Sequence, residues 1–151
     1  WLQVLKEYKN INFIVGIDLL NIIPIDGVHF AKQDISRFKS YSKLFEKKKS
    51  NLDLVLSDIA PNITGISDID QSNFSDIASN ILGFCRFKLK PEGSLIMKYF
   101  LGSSFESTLK ILGNNFNKTN VFKPASSKKK SNEVYLICIG FKDWYSSKEI
   151  Y

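Results

Sequence analysis

The sequence predicts an α/β fold with a mostly parallel sheet and an antiparallel last strand, and three observations carry that expectation. Short apolar runs alternate with stretches of helical spacing, the pattern of parallel strands joined by crossover helices that cover both faces of a sheet. Three successive apolar runs each end on a carboxylate, at Asp18, Asp34 and Asp58. The last two runs are separated only by a polar loop, which suits an antiparallel pair. With 151 residues and a hydrophobic fraction of 44%, the chain has the size of one domain, residues 1–151, built on one core.

The elements follow in order. Trp1 opens what reads as an amphipathic helix (Leu2, Leu5, Tyr8), and a chain that opens on Trp rather than Met is expected to be processed or partial. "NFIVGID" (12–18) and "GVHFAKQD" (27–34) read as strands. A lysine-rich stretch, 41–49, is expected to be helical and leads into the strand "LDLVLSD" (52–58). From Gln71 to Leu89, residues Phe74, Ile77, Ala78, Ile81, Leu82 and Cys85 recur at helical spacing, and "KPEG" (90–93) predicts a closing turn. "SLIMKYF" (94–100) is the next strand, and a helix is expected over 104–114. The strands "KTNVFK" (118–123) and "EVYLICIGF" (133–141) then flank the basic loop "PASSKKKSN".

Charge and composition narrow the function classes. A formal charge of +6 favours a polyanionic partner, nucleic acid before acidic membrane. No apolar run approaches the roughly 20 residues that span a bilayer, and the opening residues lack the pattern of a signal peptide. The expectation is a soluble, cytoplasmic protein without a membrane partner. Two cysteines and a single histidine form no CxxC and no ligand cluster. Neither a metal site nor a Cys-His nucleophile is expected, and buried reduced thiols are.

The candidate site lies at the ends of the strands. In "VLSDIAPNITG" (55–65) an apolar run stops at Asp58, and a charge there is costly unless paired or solvated, as at the mouth of a crevice. Asp18, Asp34 and Asp58 would line one crevice in a doubly wound sheet, where an acid after a strand binds the hydroxyls of a nucleoside ribose. Each acid has a second reading as a cap of the following turn or helix. Lys98 is set among apolar neighbours in "SLIMKYF". Its stem can lie buried while its amine reaches the crevice, and Glu133, at the start of the last strand, can reach the same mouth. A cluster of lysine, aspartate and glutamate can position a hydroxyl and accept its proton, provided the lysine is neutral at transfer.

These residues resemble a known family. "GIDLL", "DIAPNITG", "LKPEGSLIMKYF" and "KPASSKKKSNEVYLICIG", with the lengths between them, resemble the bacterial FtsJ-type ribosomal RNA methyltransferases over nearly the whole chain. The separations between Asp58, Lys98 and Glu133 also resemble the family's. The resemblance implies a Rossmann-like sheet that binds S-adenosylmethionine and a methyl transfer to a ribose 2'-hydroxyl of large-subunit ribosomal RNA, at a uridine. It implies Lys98 as catalytic base, with Asp58 and Glu133 beside it. Asp18 and Asp34 would bind the ribose and the adenine side of the cofactor, with Asp58 facing it and Trp1 just after the family's glycine-rich loop. Lys123, Lys128, Lys129 and Lys130 would contact RNA phosphates, and the protein would act as a monomer. The family's first strand, its glycine-rich loop and a lysine-bearing helix precede the position of Trp1. Without them, an open core, reduced stability and little or no cofactor affinity are expected of these 151 residues alone. An RNA-binding module without catalysis is the alternative reading. A nicotinamide-dependent dehydrogenase ranks last, because it leaves the Asp-Lys-Glu set unexplained.

Overall fold

A computed structural model of the chain describes residues 1–37, 52–125 and 131–142. The lysine-rich stretch 41–49 therefore lies outside the described residues. The chain divides into two compact units, Trp1–Lys49 and Ser50–Tyr151, each with its own sheet.

In the first unit, α1 (Leu2–Leu5) is a single turn rather than the longer amphipathic helix expected. Strands β1 (Ile14–Asp18) and β2 (Val28–Lys32) pair in parallel, with Asp18 opposite Lys32. Leu2 Cδ1 lies 2.9 Å from where a Cβ on Gly16 would stand, so α1 packs closely on β1 at this glycine.

The second unit is a four-stranded sheet in the order β3-β4-β6-β5, formed by β3 (Leu52–Ser57), β4 (Leu89–Phe100), β5 (Phe116–Phe122) and β6 (Glu133–Phe141). β3 and β4 are parallel. β6 runs antiparallel to both β4 and β5, so it alone opposes the other three strands. That is the mostly parallel arrangement with a reversed last strand that the sequence predicts.

Alternation along β4 and β6 separates two faces. Leu95, Met97, Tyr99, Val134, Leu136 and Cys138 are all buried. Above them lie α2 (Ser67–Lys88) and α3 (Phe105–Asn115), through Phe74, Leu82, Cys85 and Leu112. Tyr99 touches both helices: its ring lies 5.9 Å from that of Phe74 and its hydroxyl 2.9 Å from Thr108 Oγ1. Ile96, Lys98, Tyr135 and Ile137 occupy the opposite face and are only partly buried. Thus, within this unit and among the described residues, both long helices pack on one face, not two.

"KPEG" is not a separate turn between α2 and a strand. It lies inside β4 as an irregularity, where β3 pairs Leu52 with Leu89 and Leu54 with Ser94. Glu92 takes a positive φ of 62° there, and its carboxylate accepts from Asn117 at 3.2 Å. The turn signal in the sequence was real, but pairing resumes on both sides of it.

Candidate active site

Strand register builds the site on the face of the second unit's sheet opposite α2 and α3. Lys98 lies directly opposite Tyr135, and Phe100 opposite Glu133. Leu56 is level with Ile96 on the neighbouring parallel strand, so Asp58, just past the end of β3, falls on the same face as Lys98. Lys98 Nζ stands 2.8 Å from Asp58 Oδ1. The lysine side chain is 15% exposed and the aspartate 57%, so the stem is buried and the charged ends meet at the surface. An ion pair this open to water contributes at most about 1 kcal/mol to stability. Its position at the strand ends therefore has more bearing on chemistry than on folding.

Glu133 joins the pair through Tyr135. The Tyr135 hydroxyl bonds the Glu133 carboxylate, and its ionisation is pushed above the ordinary tyrosine range. Burial is the largest cause, followed by the negative charges of Asp58 and Glu133, with Lys98 acting in the opposite sense. Asp58, Lys98 and Glu133 thus share one electrostatic neighbourhood with Tyr135 at its centre. Tyr135 escaped the sequence reading. The signal was there, since a tyrosine two residues after Glu133 on a strand must share its face.

Asp18 and Asp34 come to the same end of the β1–β2 pair in the first unit. Asp18 Oδ1 accepts from Leu20 N at 2.9 Å, and Asp34 Oδ1 accepts from Ser36 N at 2.9 Å. The hydrogen bonds from Ser36 hold the Asp34 carboxyl below its usual range. Both acids therefore do serve as turn caps, the plainer of the two readings. A carboxylate has about four acceptor sites, so these local bonds leave capacity for the two hydroxyls of a ribose, and the pair fits an adenosine-bearing cofactor. Trp1 stands at the start of α1 and is about half exposed.

Of the basic loop, Lys123 is described: its ammonium donates to the Ser131 carbonyl at 2.7 Å, tying the two ends of the loop together. Lys128, Lys129 and Lys130 lie outside the described residues. Both cysteines are buried and free. Among the described residues no cluster of histidine, cysteine or acid could hold a metal ion, and no helix is long and apolar enough to cross a membrane.

The FtsJ-like methyltransferase family model matches residues 1–141. The chain belongs to that family. As an FtsJ-like methyltransferase it is an enzyme whose cofactor is S-adenosylmethionine. It is 36% identical over 141 residues to a ribosomal RNA large subunit methyltransferase E of Francisella philomiragia, covering 93% of this chain and 68% of that protein. A protein of the same name from Wigglesworthia glossinidia brevipalpis is 38% identical over 126 residues, covering 83% of this chain and 61% of its own length. The crystal structure of a ribosomal RNA methyltransferase from Plasmodium falciparum superposes with a TM-score of 0.79 at 30% identity, covering 93% of this chain and 77% of that one. Human methyltransferase-like protein 13 shares the fold, with a TM-score of 0.56 at 15% identity, over 95% of this chain and 58% of its own.

Proposed function

We propose that the chain methylates a ribose 2'-hydroxyl, at a uridine, of large-subunit ribosomal RNA. The observation that carries this reading is the Lys98–Asp58 contact on the sheet face opposite α2 and α3, with Glu133 joined to it through Tyr135. The names of the relatives support ribosomal RNA as substrate. Both units belong to one methyltransferase domain, which the family match across 1–141 supports.

S-adenosylmethionine, when bound, supplies the electrophilic methyl group on a sulfonium. The chain's residues align the hydroxyl and remove its proton. Lys98 accepts the ribose proton, and the ammonium so formed is held by the Asp58 carboxylate 2.8 Å away. With the cofactor bound, the oxygen so freed would take up the methyl group that the sulfonium gives up. Glu133, held by Tyr135, completes the acidic side of the cluster. Asp18, Asp34 and Trp1 hold the cofactor; Lys123, Lys128, Lys129 and Lys130 hold RNA phosphates, which fix orientation without reading sequence. The protein acts as a cytoplasmic monomer.

The test uses labelled methyl donor with large ribosomal subunits or their naked RNA. Wild type should place the label at a linkage that resists alkali, because a methylated 2'-oxygen cannot attack the adjacent phosphate. Lys98→Ala should lose about 10²-fold or more of turnover, the typical weight of a general base, with cofactor binding unchanged. Near-normal methylation by that variant removes Lys98 from the role. RNA retention without any methylation by wild type would favour the binding module.

A further inference from the structure

Asp58 and Lys98 sit where strands β3 and β4 run out, and a carboxylate–amine contact at two loop entrances needs something to hold both loops. The first turns of α2 carry two adjacent polar residues, Asp70 and Gln71, each only 9% exposed. Neither touches Lys98 or Asp58 through any hydrogen bond or ion pair described above. Each reaches a different loop.

Asp70 faces the loop that leaves β3. Its Oδ1 accepts from Thr64 N at 2.8 Å and from Thr64 Oγ1 at 2.7 Å, and its Oδ2 accepts from Gly65 N at 3.1 Å. Gly65 has a φ of +83°, a conformation that L side chains rarely adopt, so the bend that presents these two amides depends on glycine. Thr64 Oγ1 in turn accepts from Ile66 N at 3.1 Å. Three donors on one carboxylate hold its pKa below the usual range, so Asp70 is charged at neutral pH.

Gln71 faces the loop that leaves β4. Its Oε1 accepts from Ser104 Oγ at 2.9 Å and Ser104 N at 3.3 Å. Because Ser104 Oγ donates there, the Tyr99 hydroxyl donates to Ser104 Oγ at 2.7 Å, and Thr108 Oγ1 donates to Tyr99 at 2.9 Å. The chain of hydrogen bonds thus runs from α3 through the residue next to Lys98 and ends on α2. The Gln71 carboxamide also occupies the space a Cβ on Gly102 would need, so a side chain at residue 102 would push the carboxamide away from Ser104.

We infer that Asp70 and Gln71 are a positioning pair: one stretch of helix fixes both loops, and so sets the Asp58–Lys98 separation on which methyl transfer depends. The inference rests on the proposed function only for its kinetic consequence. The geometric consequence stands without it.

Asp70→Asn and Gln71→Leu are tested in the full chain, at a temperature well below the melting point of each variant. Each should lower kcat about tenfold, with KM for RNA and Kd for S-adenosylmethionine within twofold of wild type. A purely structural role would lower the melting temperature and leave kcat per folded molecule unchanged, which overturns the inference. Thr64→Val and Thr64→Ser are the milder pair should Asp70→Asn fail to fold: the serine, which keeps the hydroxyl, should retain kcat, and the valine should not. Equal kcat for the two also counts against the inference. The ¹⁵N resonance of Lys98 Nζ, assigned with Lys98→Arg, is the readout that needs no turnover. In Asp70→Asn and Gln71→Leu it should move toward its position in Asp58→Asn. A resonance that stays at the wild-type position in both variants refutes the inference even if the protein proves inactive on RNA. Absent methylation with a shifted resonance refutes the proposed function and leaves the positioning role supported.

Discussion

Tyr135 and the two cysteines show how position in the sheet decides what a polar atom can do. Tyr135 keeps its proton past the ordinary range, because burial and the negative charges of Asp58 and Glu133 favour the neutral phenol. A raised folded-state pKa stabilises the fold fully below the ordinary value of 10.0, and that contribution is lost as pH rises through the higher one. Tyr135→Phe removes both the late titration and the bond to Glu133. The difference in absorbance near 295 nm between wild type and variant should therefore develop only above pH 10. Cofactor binding should survive the change, while turnover falls severalfold because Glu133 loses its tether. The thiols lie on the closed face. Burial pushes Cys138 up to about 11 and Cys85 higher still, with Cys138 itself a lesser cause for Cys85. A thiolate is the reactive form, so a disulfide reagent at pH 8 should label neither cysteine in the native protein and both after unfolding. Buried reduced thiols were legible from sequence because each cysteine occupies an apolar position in a helix or strand pattern. The partnership of Tyr135 with Glu133 was not read, although period-two spacing allowed it. Its closeness to Lys98 depends on which strand lies beside which, and that is a matter of register between distant segments.

Among the elements, α2 reaches furthest. Its buried face was readable from Phe74 to Cys85, yet its first turn, beginning at Ser67, fell outside the apolar periodicity because polar residues do their work there. Asp70 and Gln71 are buried for hydrogen bonding, and a hydrophobic pattern is silent about such positions. The same limit explains "KPEG": turn residues were evident, but the resumption of pairing depends on Leu89 meeting Leu52 across the sheet. Two outcomes follow at this scale. Gly102→Ala should destabilise the protein through collision with Gln71, whereas Gly113→Ala, which meets nothing nearby, should not; thermal melts compare them directly. Asp70 also leaves a mark on acid stability. Its carboxyl titrates below the ordinary 3.8 when folded, so its contribution is present above that value and is lost as pH falls through the lower one. Denaturant curves for wild type and Asp70→Asn should therefore lie far apart at pH 7 and converge below about pH 3.8.

For the molecule as a whole, the distribution of lysines separates binding from folding. The family, the α/β class and the reversed last strand were all legible, because they depend on the order of apolar runs and on motifs contiguous in sequence. The division into two units, each with its own sheet, was not, since strand order is written in contacts between distant residues. Charge belongs to the legible kind. The net +6 includes Lys128, Lys129 and Lys130, consecutive in the loop whose ends Lys123 and Ser131 tie together, where β6 begins at Glu133 beside the Lys98 neighbourhood. Lys142 lies just past the other end of β6, a strand of nine residues that extends about 30 Å at roughly 3.3 Å per residue. Its ammonium donates to the carbonyls of Gly113 and Asn114 at the end of α3, where a cation caps the helix. Each phosphate contact to single-stranded RNA steepens the dependence of log affinity on log salt by about 0.7. Replacing residues 128–130 by alanine should therefore flatten that slope by about 2, with kcat at saturating RNA preserved. Lys142→Ala should leave the slope unchanged and lower the melting temperature instead. An unchanged slope in the triple variant would place the RNA elsewhere on the surface, whatever the chemistry at Lys98.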